Sequence, residues 1–102
     1  MAHMRKITLT KGKHAIVDDK DFVEMTKFKW HYSEGPPGYG YARRSVRVGG
    51  KIKGVRMHRV IMGAKQSEDV DHINGNCLDN RLSNLYLKSR PTGRRRASMR
   101  EL

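Results

Sequence analysis

The chain has 102 residues, enough for one domain with a modest core. Its 22 Lys and Arg against 10 Asp and Glu give a formal net charge of +12, which points to a polyanionic partner, nucleic acid above all. A single cysteine, Cys77, excludes an intramolecular disulfide and a paired-cysteine zinc knuckle, and no apolar run reaches the roughly 18 to 20 residues of a membrane span.

No secretory signal is readable at the N-terminus, where Met1 to Met4 looks like a cloning remnant and is set outside the fold. Ile7 and Leu9 alternate with polar residues as a short strand, and His14 to Val17 reads as its return across Lys11-Gly12-Lys13. Asp18 or Asp19 caps a helix running to about Phe28, with Phe22, Met25 and Phe28 on one face. A strand from Phe28 to Tyr32 carries Trp30, which with Phe22 and Phe28 reads as core. Glu34 to Gly38 has the composition of a loop.

Tyr39 to Val48 alternates again, Gly49-Gly50 signals a hairpin turn, and Lys51 to Met57 is the return strand. Between Gly35 and Ser67 there is no acid at all, so positive charge collects on this hairpin and just beyond it. Such a hairpin suits either an ordinary sheet with a solvated charged face or a ribbon that contacts DNA. His58 to Met62 reads as a short helical turn closed by Gly63, with Ala64 to Glu68 as a loop. His58 suits a phosphate contact or a packed histidine equally. His14 and His31 read as ordinary strand residues.

The informative segment runs from Val70 to Leu87, V-D-H-I-N-G-N-C-L-D-N-R-L-S-N-L-Y-L. Asp69 to Ile73 is a strand, Asn74-Gly75-Asn76 a tight turn, Leu78 and Leu82 anchors of a compact loop, and Leu85 and Leu87 part of a return strand. Asn74, Asn76, Asp79 and Asn80 read as hydrogen-bonding loop residues. After Pro91 the chain reads as an arginine-rich helix. An Asp beside a His on a strongly bent hairpin suits a hard divalent cation next to a general base for water. Such a cation would stabilise a departing 3′ oxygen.

The motifs D-H-I-N-G-N and D-N-R-L-S-N-L, in this order and at this spacing, resemble the HNH endonuclease family, in the subgroup found in phage and mobile introns. The resemblance is strongest from Met57 to Leu87. It implies an α+β fold in which small antiparallel hairpins precede a ββα-metal motif. On this reading residues 5–63 are a β-rich DNA-binding part and residues 64–102 the nuclease motif with a basic C-terminal helix, in one compact domain. Asp71 matches the first metal ligand, His72 the general base, and Asn84 the central asparagine that orients the base and ties the loop. The implied cofactor is Mg²⁺ or Mn²⁺, with Zn²⁺ or another transition metal also usable. The implied reaction is hydrolysis of double-stranded DNA to a 3′ hydroxyl and a 5′ phosphate. It would proceed inside a bacterial or phage-infected cell, by a nicking monomer or a homodimer that cuts both strands.

One position departs from the family. The last metal ligand falls nine residues after Asn84, and the residue there is Gly93, which has no side chain to offer. Three accounts fit: a later helix start with another group or water completing the shell, a natural relative that binds without cutting, or a substitution that disables cutting. The expected DNA contacts are Arg43, Arg44, Arg47, Lys51, Lys53, Arg56, His58, Arg59, Arg90, Arg94, Arg95 and Arg96.

Overall fold

The computed structural model describes residues 4–36 and 39–89. In chain order these form β1 (Met4–Thr8), β2 (His14–Asp18), α1 (Asp19–Met25), β3 (His31–Ser33), β4 (Tyr41–Val48) and β5 (Lys51–Arg56). They continue with α2 (Met57–Met62), β6 (Glu68–His72) and β7 (Leu85–Ser89), with a 3-10 turn at Leu82–Asn84 leading into β7. The strands pair antiparallel in small sheets ordered β1-β2, β3-β4-β5 and β6-β7. The architecture is therefore α+β. The expected arginine-rich helix after Pro91, with Gly93, Arg90, Arg94, Arg95 and Arg96, lies outside the described residues.

Alternation builds the core. Ile7 faces Ala15 across β1 and β2, and with Leu9, Val17, Met25, Trp30, Ala42 and Met57 it forms one buried cluster. Phe22, Tyr32, Val55, Ile61 and Leu78 pack around it half-buried. Both hairpin turns have positive φ at consecutive residues, Lys11-Gly12 within the five-residue connection of β1 to β2 and Gly49-Gly50 as the two-residue connection of β4 to β5, where the right-handed strand twist favours it. α2 stops at Gly63, which is left-handed and returns its N–H to the Val60 carbonyl.

Several expectations need correction. Met4 is not outside the fold: it opens β1, paired with Asp18. α1 ends at Met25 and not near Phe28. The Thr26 hydroxyl donates back to the Phe22 and Val23 carbonyls, and the indole N–H of Trp30 donates to the Met25 carbonyl at 2.7 Å. Dropping Trp30 into the core to make that bond pulls the chain out of the helix, so the next strand starts only at His31. Phe28 is left 42% exposed and is not core; the Arg44 guanidinium covers its ring at 3.8 Å. Asp18 precedes α1 without capping it, because its carboxylate accepts the Leu82 N–H at 2.8 Å instead.

Candidate active site

The site grows from the connection between β6 and β7. His72 pairs with Leu85 and Asp71 with Tyr86 at the loop end of this hairpin, and residues 73–84 connect the two strands. Asn74 and Asn76 each fold back on the backbone two residues ahead, accepting the N–H groups of Asn76 and Leu78. Asn84, 5% exposed, closes the loop from the inside. Its Nδ2 donates to the Asn74 Oδ1 at 3.0 Å and to the Asp79 carbonyl at 2.9 Å, and its Oδ1 accepts the Asn74 N–H at 3.0 Å. The Asp79 carboxylate accepts the Arg81 fork at 2.7 and 2.8 Å and the Asn74 side-chain amide at 3.0 Å. The Arg81 bonds hold its carboxyl below the usual carboxylate range.

This loop is fastened to the N-terminal hairpin. The Ile16 N–H donates to the Leu78 carbonyl at 2.8 Å, and the Asn80 N–H donates to the Ile16 carbonyl at 2.7 Å. β2 and Asp18 therefore hold residues 78–82 in place from across the chain.

Of the two roles expected of Asn84, tying the loop is its own, and orienting the His72 ring falls to Asn80. Its side chain is 1% exposed, and its Oδ1 lies 2.8 Å from the Nε2 of His72. A carbonyl oxygen only accepts, so this bond calls for a proton on Nε2, and in the neutral ring that leaves the lone pair on Nδ1. Asn84 ties the loop, and Asn80 sets the ring. The signal was in the D-N-R triplet, but nothing in the spacing distinguished its asparagine from the other loop amides.

The other side of the His72 ring meets aromatic groups. The His58 ring centroid is 4.8 Å away, and Tyr41 stacks on His58 at 5.2 Å with an interplanar angle of 20°. The Arg56 guanidinium covers Tyr41 at 4.8 Å. His58 is 4% exposed, so of its two readings it takes the packed one and is not a surface phosphate contact. Burial, followed by the positive surroundings of His72, Arg56 and Arg59, pushes its pKa down to about 3.

Asp71 points elsewhere. Alternation sends its side chain to the face opposite His72, where Lys88 contacts its Oδ2 at 2.9 Å and the Tyr86 hydroxyl donates to the same oxygen at 3.1 Å. The Lys88 bond, seconded by Tyr86, holds this carboxyl below the usual range. Among the described residues no group of three His, Cys, Asp or Glu side chains could hold a metal ion. Asp71 still fits a magnesium-type site, because its side chain is 39% exposed and such ions are held by one or two carboxylates with water and substrate phosphate.

The basic candidates divide by what they touch. Arg59 is committed to the fold, donating to the Glu68 carbonyl at 2.6 Å and the Lys65 carbonyl at 2.8 Å, which closes the loop after α2. Arg44 is half-buried over Phe28. Arg43, Arg47, Lys51, Lys53 and Arg56 are exposed. No helix of the described residues is long and apolar enough to cross a membrane. Comparison with protein-family models, with curated proteins and with solved structures finds no match to this chain.

Proposed function

We propose that this chain is an HNH-type endonuclease that hydrolyses phosphodiester bonds of double-stranded DNA inside the cell, with His72 as general base. The observation that carries the reading is the fixed His72 ring. Its Nε2 lies 2.8 Å from a buried asparagine oxygen, which in the neutral ring leaves Nδ1 as the basic atom, one residue along β6 from Asp71, whose side chain is 39% exposed on the opposite face. Nδ1 would take a proton from water as its oxygen attacks phosphorus, the bond to the 3′ oxygen would break, and that oxygen would take up a proton from solvent to leave as the 3′ hydroxyl. Asn80 keeps the ring in the tautomer that this needs, and the neutral His58 and Tyr41 stack stops it from turning. A divalent cation held by Asp71 would supply positive charge at the phosphate and at the leaving oxygen.

A second reading is a DNA-binding module that keeps this hairpin without cutting. Lys88 already neutralises Asp71, and Gly93 contributes no side chain at the position of the last ligand.

Supercoiled plasmid with Mg²⁺ or Mn²⁺ tests both readings, using this chain and its Gly93→Asn and His72→Ala variants. Nicked or linear product from the chain or from Gly93→Asn, lost on His72→Ala with DNA affinity kept, is the expected result. Duplex binding without product from either chain would leave the binding module standing. Loss of binding together with cutting in His72→Ala would make His72 structural.

A further inference from the structure

We infer that duplex DNA lies on one face of the β3-β4-β5 sheet, the face carrying Tyr41, Arg43, Arg47 and Arg56, and leaves the reverse face untouched. The inference rests on the nuclease reading and adds the footprint of its partner.

Strand alternation and register sort the residues. Arg43 is opposite Arg56, Ser45 opposite Gly54 and Arg47 opposite Ile52, so these share a face with Tyr41. Arg44 with Val55, Val46 with Lys53 and Val48 with Lys51 share the other, together with Ala42. The second face is already taken at its foot. Ala42 is in the core, Val55 packs against it, and Arg44 lies over Phe28. A duplex that ran the whole length of that face would have to displace Ala42 and Val55 from the core at its foot.

The first face is open along its length, with Arg43, Ser45, Arg47, Ile52, Gly54 and Arg56 all exposed. At its foot Arg56 lies over Tyr41, and Tyr41 leads through His58 to His72. A phosphate placed at His72 thus continues directly onto Arg56 and Arg43. At about 3.4 Å per residue, Arg47 stands roughly 20 Å further out than Tyr41, or about six base pairs of a straight duplex.

Gly54 supports the same face. The Arg43 guanidinium crosses β5 over the Gly54 backbone, in space that any side chain at Gly54 would fill. The arginine is therefore laid across the ribbon over Gly54, on the open face, where its guanidinium fork is placed to meet phosphate. The reverse face presents Lys51 and Lys53 as exposed cations and a half-buried Arg44 over Phe28, and so lacks three exposed guanidinium forks on one surface.

The experiment compares two triple variants of the full chain that lose the same charge: Arg43→Gln with Arg47→Gln and Arg56→Gln, and Arg44→Gln with Lys51→Gln and Lys53→Gln. Binding of a labelled 20-base-pair duplex is followed by anisotropy over a range of salt concentrations. The first triple is expected to flatten the log–log salt dependence by about 2.7, near 0.9 per lost phosphate contact, and the second by less than about 1. Equal losses, or a larger loss in the second triple, would overturn the footprint while leaving DNA binding in place. Absence of duplex binding by the unaltered chain, or a preference for single-stranded RNA, would overturn the footprint and the nuclease reading together. If the first triple does not fold, Gly54→Ala decides the matter without changing charge. Weaker duplex binding would support the Arg43 contact, and unchanged binding would refute it.

Discussion

His58 is packed between two other rings, and an imidazolium there would face His72, Arg56 and Arg59 with little water to solvate it. Its folded pKa of about 3 lies below the roughly 6.5 of an unfolded histidine. Between those values the unfolded chain binds a proton that the folded chain refuses, so stability rises with pH across that window and is complete above it. At pH 5 the loss from this residue is about 2 kcal/mol relative to pH 7.5. Urea unfolding at both pH values should show that difference in the original chain. It should vanish in His58→Phe, which keeps a ring in the stack and removes the titrating group. The same pH dependence in both proteins would place its source elsewhere.

At the scale of elements, the loop between β6 and β7 holds its shape by side-chain amides and one charged fork, while Leu78 packs it against the core. Asp79 is its hub, receiving Arg81 and Asn74 from side chains while its own carbonyl receives Asn84. Asp79→Ala leaves the Asn74 amide without its acceptor and should cost about 2–3 kcal/mol, given the worth of hydrogen bonds to a charged group. The folded carboxyl titrates below its unfolded value, so this contribution is present above the ordinary carboxylate range and is lost as pH falls through the folded value. The gap between Asp79→Ala and the original chain in urea midpoint should therefore narrow in strong acid; a constant gap would show that the charge contributes nothing. Much of this architecture is legible from sequence. The hairpin over Tyr41–Arg56 follows from alternation around Gly49-Gly50, and the Asn74-Gly75-Asn76 turn follows from its composition. What stays hidden depends on distant partners. Asp18 has the appearance of a helix cap until Leu82 claims its carboxylate, and Trp30 shortens α1 through a bond to Met25. Asn80 is indistinguishable from its neighbours until β2 docks the loop and turns its oxygen toward His72.

For the whole molecule, a charge of +12 and a small core act on the same observable. Like charges on a compact chain repel one another, and a polyanion that binds only the folded state relieves that repulsion while adding stability by mass action. Duplex DNA at a hundredfold excess over its Kd should add about 2.7 kcal/mol, or on the order of 10 °C in Tm for a chain of this size. Because the contacts expected are to phosphate, the shift should shrink steeply as salt rises from low to physiological concentration and disappear near 1 M. Thermal melts with and without duplex at three salt concentrations measure this directly. A shift that survived 1 M salt would mean that the grip on DNA is chiefly apolar or base-specific, and would weaken the case built on the arginine face. No shift at low salt would remove nucleic acid as the partner of the folded chain, and with it the substrate of the proposed His72 chemistry.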